Sequence, residues 1–293
     1  MPFTCCYRVS PGVGTWGAEA LQHVCIGPRH ANLEIDMHST VSAVTAAAPA
    51  YLAAKVDSFH SNHLAAERTA DTLALLKRSL SPQRRVVHAG DEVYQAGAAF
   101  ANLYVLNSGL FKIVNLAADG REQVVSLKFR GDWLGFDGIA QGRYSCAAVA
   151  MDTGEVWAIP YDELLSACGT HPALLTTLHS AMSREIARDR DALMSVCTLP
   201  ADARVADFLR HWADSQAQRG MRCDQIILRM TRAEIGNYLG MTLETVSRSL
   251  AKLARGKIIA FAEKGRRDVH IPDVGALAAF VERRLAPPAV TLQ

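Results

Sequence analysis

The chain has 293 residues, of which 49% are hydrophobic and 20% are charged, a composition that excludes a wholly disordered polymer. It has no run of about 18 apolar residues and no N-terminal secretion signal, so we expect a cytoplasmic protein without a membrane partner. The net charge of +2 divides unevenly: residues 1–199 hold 16 basic against 19 acidic residues (−3), and residues 200–293 hold 15 against 10 (+5). A polyanionic partner is therefore expected at the C-terminal third.

Within the first two thirds of the chain, the amino-acid composition changes near residue 70. Residues 1–70 are rich in Ala, Ser, Thr and His and are predicted to be a poorly ordered N-terminal extension, whose role the sequence leaves open. Residues 70–78 have the spacing of a short amphipathic helix. From residue 84 to 160, short runs of Val, Ile, Leu, Phe and Tyr alternate with turn glycines, a pattern typical of antiparallel strands. The sequence thus predicts a β-roll sensor domain over residues 71–168.

Residues 169–199 are predicted to form a long dimerisation helix, since neither Gly nor Pro interrupts the chain between Pro172 and Pro200. Five positions are spaced by four and three residues, as in a coiled-coil seam: Met182, Ile186, Asp189, Leu193 and Val196. The alternative is a helix that packs on its own domain. Asp189 would face its own copy across a symmetric seam, where like charges repel. Either Arg188 and Arg190 neutralise Asp189, or Asp189 weakens the dimer until an effector restores it.

A helix-turn-helix is indicated over residues 230–253. Thr231 and Glu234 have the spacing of a capping box, which starts a helix. Gly240 can take the left-handed conformation that ends this helix, and Thr242 can cap a second one. Two short helices joined by a tight turn are the element that many DNA-binding proteins place on the double helix.

The second helix of this pair has two distinct faces. Val246, Leu250 and Leu253 are spaced for a buried face, which leaves Glu244, Ser247 and Arg248 together on another. In the major groove, Arg can bind guanine, Glu can accept from the cytosine amino group, and Ser can serve either role. The three residues are therefore predicted to read bases, although Glu244 alone could be a first-turn acid that the helix dipole favours.

Basic residues continue beyond this helix, and residues 258–261 and 269–271 flank a turn, as in the β-hairpin wing of a winged helix-turn-helix. Contacts to phosphates set affinity and register rather than sequence choice. Eight residues are assigned to the DNA backbone: Thr242, Thr245, Lys252, Arg255, Lys257, Lys264, Arg266 and Arg267. The DNA-binding domain is predicted over residues 200–284, with a tail at 285–293.

This combination over residues 71–284 resembles the CRP/FNR family of bacterial transcription regulators, and in particular its FNR branch. The most specific stretch is residues 231–248 with the Glu244, Ser247 and Arg248 trio, and residues 131–137 and 159–160 are similar to the β-roll of that branch. The resemblance implies an α+β fold: an N-terminal antiparallel β-roll of the jelly-roll, cyclic-nucleotide-binding type, a long dimerisation helix and a C-terminal winged helix-turn-helix. It also implies a homodimer that reads TTGAT-like half-sites of a palindrome in double-stranded DNA, with RNA polymerase as a partner.

The resemblance is incomplete at the effector sites. FNR-type oxygen sensors hold a [4Fe–4S] cluster through clustered N-terminal cysteines and one in the β-roll, but Trp157 stands at the β-roll position and Cys5, Cys6 and Cys25 are not clustered. Cyclic-nucleotide sensors hold their ligand with a Glu and with an Arg that binds the phosphate, and Phe136 and Tyr144 occupy these two positions. Neither a cluster nor cyclic AMP is expected. Haem remains open, and its candidate axial ligands are His23, His30, His38, His60, His63 and Cys25.

Other classes of function are weighed against this one. A thiol-based redox switch could use Cys146, Cys168 or Cys197, although no motif that lowers a thiol pKa accompanies them. A cupin-like metalloenzyme needs several converging His, and residues 80–165 contain only His88. We assign no catalytic residue and no metal ligand. The effector, the target genes and the choice between activation and repression stay open.

Overall fold

The computed structural model describes residues 62–116, 120–262 and 267–285, with side chains from residue 68 onward. Helix α1 spans Asn62–Ser79 and so begins eight residues before the predicted helix. The expected extension to residue 70 is corrected accordingly, because no Pro or Gly between residues 62 and 70 interrupts the helix. The rest of that predicted extension lies outside the described residues.

Eight strands follow and form two four-stranded antiparallel sheets, which confirms the predicted β-roll. The strands are β1 Gln83–Val87, β2 Glu92–Tyr94, β3 Asn102–Ser108, β4 Phe111–Leu116, β5 Glu122–Lys128, β6 Trp133–Leu134, β7 Ala147–Ala150 and β8 Gly154–Pro160. One sheet has the order β1-β8-β3-β6 and the other β2-β7-β4-β5. Buried side chains such as Leu106, Phe111 and Val156 form a core within the roll, because alternate residues of a strand point to one face.

Two helices come after the β-roll, α2 at Tyr161–Thr170 and α3 at Pro172–Thr198. Pro172 occupies the first turn of α3, where its missing N–H costs nothing. The long helix is therefore confirmed, but it starts at Pro172, and residues 169 and 170 belong to the end of α2. Leu174 and Leu178 of α3 pack with Leu73 and Leu76 of α1 in a core that covers the β3–β8 sheet.

The C-terminal part is a winged helix-turn-helix. Its helices are α4 Ala201–Ala217, α5 Arg232–Leu239, α6 Leu243–Arg255 and α7 Val274–Leu285, and its strands are β9 Gln225–Ile227, β10 Ala260–Phe261 and β11 Asp268–His270. The strands form an antiparallel sheet in the order β10-β11-β9. The hairpin β10–β11 was predicted, whereas β9 was not.

One hydrophobic core joins the β-roll to the C-terminal part. Val124, Leu127 and Phe129 of the roll are buried in the same cluster as Trp212 of α4 and Ile235 of α5. The rings of Phe129 and Trp212 meet edge to face, with their centroids 6.0 Å apart. Across the three described ranges, no helix has the length and apolar character that crossing a membrane requires.

Candidate DNA-binding site

Helix α5 begins with the predicted capping box. The backbone N–H of Glu234 donates to the Thr231 hydroxyl at 3.1 Å, and the backbone N–H of Thr231 donates to the Glu234 carboxylate at 2.8 Å. Two amides that a helix start would leave unpaired are thereby satisfied. Burial raises the pKa of Glu234, but hydrogen bonds from Lys112 and Thr231 outweigh it and lower that pKa overall.

The turn between α5 and α6 is tight and depends on two glycines. Gly240 ends α5 in the left-handed conformation, with φ 64° and ψ 44°. A Cβ atom at Gly236 would lie 2.5 Å from the carbonyl oxygen of Met241, so only glycine lets the two helices approach this closely. Thr242 then caps α6, because its hydroxyl accepts from the backbone N–H of Thr245 at 3.3 Å.

The two faces of α6 separate as predicted. Val246, Leu250 and Leu253 have relative exposures of 0%, 2% and 0% and belong to the C-terminal core. Glu244, Ser247 and Arg248 are exposed together on another side of the helix. The apolar face thus fixes the helix to its neighbours, while an acidic, a hydroxyl and a cationic side chain face solvent.

Within this trio, Glu244 is held as a carboxylate. Hydrogen bonds from its own backbone N–H and from the Thr242 hydroxyl lower the pKa of Glu244. An ionised carboxylate accepts hydrogen bonds only, so it can pair with a base that offers an amino group. The Arg248 guanidinium contacts the Thr245 hydroxyl at 3.4 Å, which is a weak bond that leaves its other donors available.

The eight side chains assigned to the DNA backbone have different surroundings. Thr242 caps α6, and its hydroxyl lies 3.1 Å from that of Thr245 in the first turn. The ammonium group of Lys252 forms an ion pair with Asp202 at 2.6 Å, a partner that Arg284 shares at 3.1 Å. The others in the described residues are exposed, namely Arg255, Lys257 and Arg267. Lys264 and Arg266 lie outside the described residues.

Two family models match this chain, and together they cover most of the described part. The model of the Crp-like helix-turn-helix domain matches residues 203–280, and that of the cyclic nucleotide-binding domain matches residues 84–171. The fumarate and nitrate reduction regulatory protein of Salmonella typhimurium is 34% identical over 198 residues, which are 68% of this chain and 78% of that protein. The chain belongs to the CRP/FNR family of transcription regulators.

Further relatives agree with this family. The fumarate and nitrate reduction regulatory protein of Escherichia coli strain K12 is 33% identical over 182 residues, 62% of this chain and 73% of that protein. Among solved structures, FixK2 from Bradyrhizobium japonicum matches with a TM-score of 0.59 at 26% identity, over 68% of this chain and 96% of that one. A CRP-family transcriptional regulator from Thermus thermophilus has the same fold, with a TM-score of 0.55 at 23% identity over 69% of this chain and 98% of that one.

In this CRP/FNR-family protein, the predicted seam on α3 lies largely at the surface. Ile186, Leu193 and Val196 are 49%, 63% and 39% exposed, and Asp189 between them is exposed as well. Met182 differs, because it is half-buried and packs against the core under α3. Met194, which the spacing did not single out, is 41% exposed. Several exposed apolar side chains along one helix are typical of an interaction surface.

Of the two arginines that could neutralise Asp189, Arg188 has its main partner elsewhere, although the charge of Asp189 also helps to raise the pKa of Arg188. Arg188 instead binds Asp132 of the β-roll, with its Nη1 2.9 Å from Oδ1, and no described residue forms an ion pair with Asp189. The reason is helical geometry, since residues adjacent in sequence point to different sides of a helix. Asp189 therefore stands as a charge within the exposed apolar stripe.

A buried ionic hub that the sequence did not reveal ties three parts of the molecule together. Asp132 accepts from Arg188 of α3 and, at 3.1 Å, from Arg219, which follows α4. It also accepts from the backbone N–H of Phe129 at 2.9 Å. Burial alone would raise the pKa of Asp132, but Arg188, Arg219 and Lys128 lower it to about 2. The carboxylate thus stays charged at neutral pH.

A cavity of about 510 Å³ lies between the β-roll and α3. Aromatic and apolar side chains dominate its wall, among them Tyr94, Trp133, Phe136 and Ile186. The indole N–H of buried Trp133 has no hydrogen-bond partner among the described residues. Four charged side chains line the wall: Lys128, which is paired with Glu185, and the carboxylates Glu185, Asp137 and Asp189. One cation against three anions makes this lining electronegative.

Two of the three candidate redox thiols lie in surroundings that disfavour the thiolate. Burial raises the pKa of the Cys146 thiol to about 11 and also raises that of Cys168, so both thiols are weak nucleophiles at neutral pH. In the described parts of the chain, no group of three His, Cys, Asp or Glu side chains could hold a metal ion. Cys5, Cys6, Cys25, His23, His30, His38 and His60 lie outside those parts, as does the side chain of His63.

Proposed function

We propose that this protein is a dimeric, sequence-specific transcription regulator of the FNR-like branch, which reads TTGAT-like half-sites of an inverted repeat in double-stranded DNA. The observation that carries the proposal is the trio Glu244, Ser247 and Arg248, exposed together on a capped helix whose opposite face is locked in the core. The trio offers guanidinium, hydroxyl and carboxylate groups, which together match guanine, cytosine and mixed base edges.

The dimer part of the proposal is supported by the exposed stripe on α3. Ile186, Leu193, Met194 and Val196 are each at least 39% exposed, and burying them against a second copy would remove this apolar surface from water. A two-fold axis along α3 would give one recognition helix per half-site, about one turn of DNA apart. In the cytoplasm, such a dimer on a promoter has RNA polymerase as its expected further partner.

The domain division that we propose follows the same logic. The β-roll is the sensor, α3 is the dimerisation helix, and the winged helix-turn-helix is the DNA-binding domain, which we call the reading head. The sensor is proposed to begin with α1, whose Leu73 and Leu76 are part of the core beneath α3. A signal sensed in the roll would then reach DNA through α3 and through the shared core around Val124 and Phe129.

For the effector, the electronegative cavity argues against an anionic phosphate. Phe136 and Tyr144 replace the carboxylate and guanidinium that cyclic-nucleotide sensors use, and the Tyr144 hydroxyl donates to the carbonyl of Asn102 at 2.7 Å. Arg143 points elsewhere, since its Nη1 donates to the carbonyl of Gly97 at 2.8 Å. We therefore propose an effector other than cyclic AMP, and the three carboxylates of the wall favour an uncharged or cationic molecule.

An iron–sulfur cluster of the FNR type is likewise not proposed. Trp157 stands where the β-roll ligand is expected, is 5% exposed and donates its indole N–H to Glu155 at 2.7 Å. A redox switch through Cys146 or Cys168 is not favoured, because burial raises both thiol pKa values, whereas Cys197 is exposed and stays an open candidate. Haem stays an open prediction, and the absorption spectrum of anaerobically purified protein distinguishes it from a ligand-free form. An enzyme is not proposed, since the matched relatives are regulatory proteins.

The test is the affinity of the full chain for a duplex with two TTGAT half-sites, measured by fluorescence anisotropy at several salt concentrations. Arg248→Ala should cost about 1–3 kcal/mol on this duplex and relax the choice of base at one position. Arg255→Ala is the matched control: loss of an exposed cation should weaken binding to all sequences alike and reduce the salt slope by about one. If Arg248→Ala bound its best site as tightly as the parent, the base-reading role would be wrong.

A further inference from the structure

The helix-turn-helix is attached to the outer edge of a β-roll sheet. Strand β5 is the last strand in the order β2-β7-β4-β5, so its outer edge carries backbone N–H and C=O groups that no further strand pairs. Helix α5 lies against this edge, and its Asn237 faces the strand. The contact therefore joins the sensor to the reading head without passing through α3.

The side-chain amide of Asn237 satisfies both kinds of backbone group on this edge. Its Oδ1 accepts from the backbone N–H of Val124 at 2.6 Å, and its Nδ2 donates to the carbonyl of Glu122 at 2.8 Å. This pairing fixes which end of the amide is oxygen. Gln123 adds a third bond, since its Nε2 donates to the backbone carbonyl of Asn237 at 2.5 Å. One side chain thus takes the place of a neighbouring strand.

Two further contacts hold the same surfaces together. The ammonium group of Lys112 on β4 lies 2.6 Å from the carboxylate of Glu234 on α5, and both side chains are largely shielded from solvent. Val124 is buried in the core that also contains Ile235 and Leu239 of α5. The apolar contact stabilises the packing of β5 against α5. The hydrogen bonds of the Asn237 amide are directional, so they set the angle between this strand and this helix.

We propose that Asn237 is a positioning residue, which fixes the recognition helix α6 relative to the sensor sheet. Helix α6 must move together with α5, because the close approach of Gly236 to Met241 keeps the turn between them tight. Glu244, Ser247 and Arg248 stay exposed in this arrangement, so the Asn237 contact orients α6 without covering its base-reading side chains. For its effect on DNA the inference rests on the proposed function, whereas the contact itself does not.

The contact is tested by hydrogen exchange on the full-length protein. In Asn237→Ala, the amide of Val124 loses its acceptor and should exchange roughly tenfold faster or more, while the amides of α6 stay as protected as in the parent. Asn237→Asp keeps the size and the acceptor but removes the donor to Glu122, so it separates loss of hydrogen bonding from loss of packing. Asn115→Ala, which alters an exposed asparagine of the adjacent strand β4, is the matched control and should leave the Val124 exchange unchanged.

Positioning is tested with two duplexes whose half-sites differ in spacing by one base pair, and with a duplex that holds a single half-site. The parent should strongly prefer the correct spacing, because its two recognition helices are rigidly placed. Asn237→Ala and Asn237→Asp should bind the correctly spaced site roughly tenfold more weakly, lose part of the spacing preference, and bind the single half-site as the parent does. A residue that only stabilises the fold would weaken binding to all three duplexes alike.

Three results would overturn the inference. Unchanged exchange at Val124 in Asn237→Ala would show that the amide does not hold the strand, whatever the DNA results are. Faster exchange with tighter DNA binding would show an inhibitory contact instead of a positioning one, and an intact spacing preference would show that α6 is aimed by other contacts. If the parent fails to bind any TTGAT duplex specifically, the proposed function is wrong, and the exchange experiment still decides the contact.

Discussion

Replacing Asp132 by Asn is the most severe test of how the three parts are joined. The carboxylate accepts from Arg188 at 2.9 Å and from Arg219 at 3.1 Å, and it is only 7% exposed. The amide of Asn keeps the shape and can still accept from the backbone of Phe129. It removes the negative charge, however, and leaves two guanidinium groups around a neutral partner.

The size of the effect can be bounded from the pKa of Asp132. Folding lowers that pKa from 3.8 to about 2, and at about 1.4 kcal/mol per pKa unit the ionised form contributes roughly 2 kcal/mol to the free energy of unfolding. Breaking a buried ion pair by removing one partner costs up to about 5 kcal/mol. We therefore expect Asp132→Asn to lower the free energy of unfolding by about 2–5 kcal/mol at pH 7.

The dependence on pH has a definite sign. Because the carboxyl pKa is lower in the folded than in the unfolded chain, its contribution is complete above about pH 4 and is lost as the pH falls toward 2. The difference between parent and variant should shrink over the same range. Urea unfolding followed by tryptophan fluorescence measures both effects. Asp224→Asn, which removes an exposed carboxylate paired with Arg222, should leave the unfolding midpoint unchanged, and an equally small effect of Asp132→Asn at pH 7 would refute the reasoning.

Two further substitutions test the proposed dimer seam and the turn between α5 and α6. Asp189→Ala removes the charge from the exposed stripe on α3 and should raise the dimer fraction in analytical ultracentrifugation; an unaltered fraction would contradict a repulsive role for this residue. Gly236→Ala places a methyl group 2.5 Å from the Met241 carbonyl oxygen and should destabilise the reading head by about 1–3 kcal/mol, measured by thermal unfolding. Stability equal to that of the parent would mean that the two helices of the reading head can separate without cost.

The features that the sequence predicted well are those set by neighbours within a few residues. The capping box at Thr231, the left-handed Gly240 and the buried face of α6 each follow from local rules of helix formation. Helix α3 was predicted for the same reason, because an uninterrupted run without Gly or Pro permits one long helix.

The features that were missed depend on residues far apart in the chain. Asp132 and Arg219 are separated by 87 positions, and Asn237 lies 113 positions from Val124, so no spacing rule could pair them. Strand β9 has three residues and exists through its pairing with β11. Arg188, one of the two arginines that could neutralise Asp189, pairs with Asp132 instead, 56 positions away in the chain.

The shared core around Val124, Leu127 and Phe129 limits which domains of other proteins could replace the β-roll or the winged helix-turn-helix. Grafting its winged helix-turn-helix onto the sensor of a distant relative would expose the side chains of α4 and α5 that this core covers. Such a chimera would need matching residues on the new sheet edge, or it would aggregate through the uncovered surface. The β-roll and the winged helix-turn-helix of this chain share one core, so we expect neither to be exchangeable for that of a distant relative.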